Sequence, residues 1–92
     1  MNSDTIVLQK QRNFLYQDIQ DLMLSSNYPM SEKQRIFVEF KTMLEGINKS
    51  AVIVTITDYI YQNEEMDCCR NLEYLLKNYN KKFRKGKTSI RR

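Results

Sequence analysis

Apolar residues in this chain recur at steps of three and four over most of its length, the spacing that lines one face of an α-helix. From Ser3 to Ser25 the stripe is Leu8, Leu15, Ile19 and Leu22, widened by Phe14, Met23 and Val7. Lys10, Gln11, Gln17, Asp18 and Asp21 take the polar side, and Ser3 or Asp4 is placed as the cap. The turn formers Ser25-Ser26-Asn27-Tyr28-Pro29 end this segment, with Tyr28 pushed out of helical backbone by the proline after it. Ser31-Glu32-Lys33-Gln34 then reads as a capping box opening a second helix. Ile36, Phe37, Phe40, Met43, Leu44 and Ile47 form its apolar face, and Gly46 with Asn48-Lys49-Ser50 marks its stop. The connection is short, which favours an antiparallel neighbour.

The next stretch, Ser50 to Asn63, is the most apolar in the chain and carries one charge, Asp58. Val52, Ile53, Val54, Thr55, Ile56 and Thr57 are all β-branched and fit a strand at least as well as a helix. A strand needs a neighbour for its backbone N–H and C=O groups, and no other segment alternates with period two long enough to supply one. The stretch is therefore read as the central helix of a bundle, with Ser50 as N-cap and Val52, Ile53, Ile56, Tyr59, Ile60 and Asn63 on one side.

A fourth apolar series, Cys69, Leu72, Leu76, Tyr79 and Phe83, follows a start rich in acid at Glu64, Glu65 and Asp67, where a helix N-terminus favours negative charge. No Gly or Pro separates it from the third helix, so one long kinked helix competes with two. Ninety-two residues with two Gly and one Pro allow few turns and one domain. The expected fold is all-α: an antiparallel bundle of about four helices in residues 1–80, with a basic extension over 81–92.

Charge sharpens this division. Residues 1–80 hold eight Lys/Arg against eleven Asp/Glu, whereas 81–92 hold Lys81, Lys82, Arg84, Lys85, Lys87, Arg91 and Arg92 and no acid. Such a cluster suits an anionic partner, whether acidic protein, nucleic acid or membrane surface. It also complements the C-terminal dipole of a preceding helix and keeps a small protein soluble. Tyr79 and Phe83 interleave with the cations in a way that permits base stacking, although the core stripe already accounts for both. A ribbon-helix-helix dimer with Val52 to Thr57 as its shared strand is the alternative architecture, and it leaves the first fifty residues without a role.

Catalytic signals are sparse. Without histidine the chain has no imidazole base and no Ser-His or Cys-His nucleophile pair, so a non-enzymatic role is expected. Gly46 and Gly86 are isolated and form no phosphate loop. Glu64, Glu65 and Asp67 fit a helix start better than a metal site, and no cofactor is expected. Cys68 and Cys69 offer two zinc ligands where four are needed, and neighbours on a helix are poorly placed for a disulfide. Cys69 is read as a small hydrophobe with Cys68 half-exposed beside it. The chain lacks a signal-peptide pattern or a run long enough to span a membrane, and its free cysteines suit a reducing cytoplasm.

Six tyrosines exceed what a small core buries, and Tyr16, Tyr61 and Tyr74 fall off the apolar stripes. These three are the candidate contacts for a protein partner, a second copy included. The expected function is a protein-interaction module of regulatory, adaptor or inhibitor type, whose tail docks to an anionic surface. The alternative is a regulator that binds nucleic-acid phosphates through the tail. In length, charge and helix count the chain resembles the immunity proteins that guard bacteriocin producers, a likeness of shape that assigns no residue a role.

Overall fold

The computed structural model describes residues 3–63 and 65–83. They form four helices and, among the described residues, no strand: α1 (Ser3–Leu24), α2 (Met30–Glu45), α3 (Ser50–Gln62) and α4 (Cys68–Phe83). The capping role of Ser3 or Asp4 falls on side chains outside those described. The β-branched run is helical, and Ile53, Ile56 and Ile60 are buried at its centre. Tertiary burial thus overrides the strand propensity of six consecutive residues, as it does wherever a segment has no strand to pair with. No described helix is long and apolar enough to cross a membrane.

One continuous core runs through all four helices, from Leu15 and Ile19 through Ile36, Phe40 and Ile56 to Leu72 and Leu75. Helices α1 and α2 are antiparallel: Arg12 reaches Leu44 and Ile47 near the end of α2, while Met23 and Met30 line one pocket beside the turn between them. Helix α3 lies along α1 in the same sense, with Ser50 bonded to Gln11 at one end and Tyr61 to Asp18 at the other. Helix α4 packs on all three, whereas α2 and α3 scarcely touch. The short Gly46–Lys49 connection therefore does not make antiparallel neighbours of the helices it joins. Ile47 within it is buried, and the Arg12 guanidinium holds its carbonyl, so the chain turns there onto α1.

Three local expectations shift. In α1 the buried register is Leu8, Arg12, Leu15, Ile19 and Met23, while Val7, Phe14 and Leu22 are exposed. The seven-residue spacing of Leu8, Leu15 and Leu22 drifts about 20° per repeat around a straight helix, and by Leu22 it has left the core face. At α2, Ser31 lies inside the helix and forms no capping box; Pro29 is the N-cap with extended backbone, and its carbonyl accepts the Lys33 N–H at 3.0 Å. Proline has no N–H to orphan, so it opens the helix two residues earlier without a side-chain partner. At α3 the N-cap is Lys49, and Ser50 in the first turn instead donates its hydroxyl to Gln11 at 3.0 Å.

The kinked-helix alternative is removed by the turn at Asn63, where φ −104° and ψ 51° leave helical backbone. Asp67 then caps α4: its Oδ1 accepts the Cys69 N–H at 2.9 Å and the Ser26 hydroxyl at 2.7 Å, tying the α1–α2 turn to the start of α4. Burial pushes the Asp67 carboxyl up, but the Ser26 hydroxyl and the backbone N–H groups of Cys69, Asn27 and Arg70 outweigh it and hold the pKa below the usual 3.8. A depressed folded pKa contributes stability that is complete above 3.8 and lost as pH falls through the lower folded value. Asp67→Asn, which keeps a capping oxygen and removes only the charge, is therefore expected to lose about 0.5 kcal/mol at pH 7. Thermal melts from pH 6 down to pH 2 should show the gap to wild type closing below pH 4, and a constant gap would rule out this role.

Candidate functional site

Residues in α1 and α3 that miss the core lie side by side in a groove of about 240 Å³ between the two helices. One hundred degrees of rotation per residue carries Val54 off the face of Ile53, and in α1 it carries Phe14 off the face of Leu15. Phe14 is 73% exposed and Val54 45%. Each is followed four residues on, and so on the same helix face, by a carboxylate: Asp18 after Phe14 and Asp58 after Val54. Because α1 and α3 run in the same sense, the groove has an apolar end at Phe14 and Val54 and an acidic end at Asp18 and Asp58. No Lys or Arg is among its described lining residues.

Tyr61 closes the acidic end by donating its hydroxyl to Asp18. Burial and that carboxylate together push the Tyr61 phenol up to about 12, so it remains a neutral donor through the physiological range. Its ring is still 40% exposed and is the one of the three expected tyrosines that lines the groove.

The other two lie outside the groove and make contacts within the bundle. Tyr16 donates to Glu45 at 2.9 Å, meets Phe37 edge-on at 6.1 Å and carries the Lys41 ammonium 5.2 Å above its ring. Burial first, then Glu45, raises its phenol well above the usual range. Tyr74 stacks on Tyr59 at 6.3 Å, joining α4 to α3. Of the basic cluster, Lys81 is exposed in the last turn of α4. Lys82 belongs to that turn, but its side chain is outside those described; Arg84, Lys85, Lys87, Arg91 and Arg92 lie beyond the described residues.

Periodicity assigned Phe14 to the core, and only the adjacent register position, Leu15, goes there. The signal that finds the groove is the matched pair Phe14…Asp18 and Val54…Asp58, an apolar residue and an acid at the same spacing on two helices.

Neither cysteine offers an activated thiol. Both are free; Cys69 is buried and Cys68 half-buried. Burial, then the proximity of Cys69 and Asp67, pushes the Cys68 thiol up to about 12, which leaves little thiolate at neutral pH. No group of three or more potential metal ligands occurs among the described residues.

Comparison with known proteins finds no family model, curated protein or solved structure that matches the chain significantly.

Proposed function

We propose that this chain is a non-enzymatic interaction module that receives a segment of a protein partner in the α1/α3 groove. The observation that carries the reading is the exposure of Phe14 beside Val54, with Asp18 and Asp58 next to them and no cation among the described lining residues. Exposed apolar side chains grouped beside a groove add little to the fold and offer a surface on which a partner's side chain can seat. The polarity of the groove favours a partner with an apolar side chain for the Phe14 end and a Lys or Arg beyond it for the two carboxylates. The basic residues from Lys81 onward serve a second contact, with an anionic surface.

The test is affinity capture and titration of the recovered partner with wild type, Phe14→Ser, Val54→Ser and a chain ending at Asn80. Phe14→Ser is expected to weaken binding about 30-fold, the size of an anchor residue worth about 2 kcal/mol. Its unfolding free energy should stay within about 0.5 kcal/mol of wild type, since Phe14 is outside the core. Equal affinity of wild type and both groove variants would eliminate the groove.

The seven cations of residues 81–92 favour the second reading, phosphate binding. On that reading the chain binds a 20-base-pair DNA or RNA duplex with log K falling by about 0.9 per log unit of salt for each phosphate contacted, and the groove variants bind as wild type does.

A further inference from the structure

The chain itself contains a segment with the chemistry that the α1/α3 groove favours. Residues 84–92 carry five cations, no acid and one large apolar side chain, Ile90, which Arg91 and Arg92 follow directly. The groove has the complementary set in the same order, with Phe14 and Val54 exposed at one end, Asp18 and Asp58 at the other, and no Lys or Arg among its described lining residues. In extended backbone, residues two apart such as Ile90 and Arg92 point to the same side, about 6.6 Å apart. Phe14 and Asp18 are separated by about 6 Å along α1, and Val54 and Asp58 by as much along α3. A single register therefore sets Ile90 between Phe14 and Val54 and Arg92 between Asp18 and Asp58. The Tyr61 hydroxyl occupies one oxygen of Asp18 and Asp58 is exposed, so a guanidinium finds acceptors on both helices.

The direction of approach agrees. Asp67, before α4, is bonded to Ser26 after α1, and Tyr74 of α4 stacks on Tyr59 near the end of α3. Helix α4 thus runs back toward the end of the bundle where α1 and α3 begin. Phe83 and Ser50, the facing ends of α4 and α3, are each nine residues from that stacked pair. A segment leaving Phe83 meets the apolar end of the groove before the acidic end, the order in which Ile90 precedes Arg92. The seven residues from Phe83 to Ile90 reach up to about 23 Å. A diagonal path half-way round a helix about 10 Å across and one turn along it is about 17 Å. So short a link gives the segment an effective concentration in the millimolar range, above what a second copy supplies at micromolar protein.

We propose that residues 84–92 occupy the α1/α3 groove of their own chain, with Ile90 against Phe14 and Val54 and Arg92 against Asp18 and Asp58. What this adds to the proposed function is regulation, a step that rests on the groove being the partner site: the partner's segment has to displace the tail. It also couples the module's two contacts, because an anionic surface that takes the cations leaves the groove open. The apparent affinity for any groove ligand is lowered to the fraction of chains left open.

The test is nuclear magnetic resonance of the full isotope-labelled chain at low salt. Nuclear Overhauser contacts are expected from the Ile90 methyl groups to the Phe14 ring and the Val54 methyl groups, unchanged on dilution. Ile90→Ser, which keeps every cation, and Arg92→Glu should each remove these contacts and shift the Phe14, Val54 and Asp58 amides while leaving those of α2 in place. Both changes fall outside the four helices, so the bundle is retained. Asp58→Arg combined with Arg92→Glu should restore the contacts by exchanging the charges. A synthetic peptide of residues 84–92, titrated in trans, should bind the Ile90→Ser chain about threefold more tightly than wild type, the gain from freeing a groove closed in about two thirds of the chains. The proposal is overturned if the Ile90 contacts are absent and the groove resonances ignore both tail variants, a result that leaves the partner site intact. Contacts that fade on dilution also overturn it, by assigning the tail to a second copy. Ile90 contacts that persist while Phe14→Ser binds the captured partner as wild type does would keep the tail in the groove and remove the partner site alone.

Discussion

Ile56→Ala is expected to lower the unfolding free energy by about 3 kcal/mol, and Ile53→Ala by nearly as much, whereas Val54→Ala costs about 0.5 kcal/mol. Ile53 and Ile56 are 1% and 0% exposed, so truncating either leaves a cavity lined by core side chains that relax only partly. Val54 stands between them in sequence and in water in the fold. The series separates the two architectures that the β-branched run permits. In a helix, positions 53, 56 and 60 share a face; in a strand, 52, 54 and 56 share one and 53 faces away. Urea unfolding followed by circular dichroism at 222 nm reads the result. A domain of this length holds about 5–14 kcal/mol in total, so the two isoleucine variants should shift the midpoint visibly. Equal costs at Val54 and Ile56, with little at Ile53, would mean that the run is extended.

What made this helix legible was an argument about the whole chain. Propensity at Val52 to Thr57 points to a strand, and only the absence of a pairing segment reverses it. The helices with regular stripes were readable directly: Ile36, Phe40 and Leu44 in α2, Cys69 and Leu72 in α4, each buried as the spacing requires. Helix ends were less so. Ser31 and Gln34 form a good capping pattern, yet Pro29 opens α2 and Asp67 is the residue that caps α4 through its side chain. A cap depends on which residue leaves helical backbone, and that is settled by the turn before it; here Ser26, forty-one residues upstream, is part of the same arrangement as Asp67.

The groove was half legible. Tyr61 was singled out because it fell off a stripe, and it does line the groove. Tyr16 and Tyr74 fell off stripes too, but Glu45, Phe37 and Tyr59 were within reach, and no sequence pattern gives such distances across helices. Phe14 was missed for a different reason: a large apolar residue next to a stripe is assigned to it by default, and only the packing of α3 against α1 shows that Phe14 faces outward.

Arg12 was invisible to hydropathy and is the residue whose loss should test the fold most directly. It sits in the buried register of α1 between Leu8 and Leu15 and is 9% exposed. Its Nε donates to the Leu44 carbonyl at 3.2 Å, one terminal nitrogen donates to the Ile47 carbonyl at 2.5 Å, and the other reaches Gln9 at 3.3 Å. No carboxylate pairs with it among the described residues. A buried cation without a counter-ion is tolerated because the Leu44 and Ile47 carbonyls accept from it at the C-terminal end of α2, the negative end of the helix dipole. Hydrophobic replacement of a buried ion pair is often neutral, since both partners are removed together. Here the partners are backbone, and they stay. Leu44 keeps the Ile47 N–H, but the Ile47 carbonyl loses the guanidinium that holds it, in the connection that directs α3 onto α1. Arg12→Met, which preserves the apolar stem, should therefore cost about 3 kcal/mol, the sum of a lost charge-assisted bond and an acceptor left buried. Arg12→Lys should recover about half, because an ammonium reaches one carbonyl but cannot fork to two. Hydrogen exchange at residues 47–53 in Arg12→Met should quicken before that of α4, since the tether to α1 is what fails. A Met variant as stable as wild type, with unaltered exchange there, would show that the connection holds its course without the guanidinium.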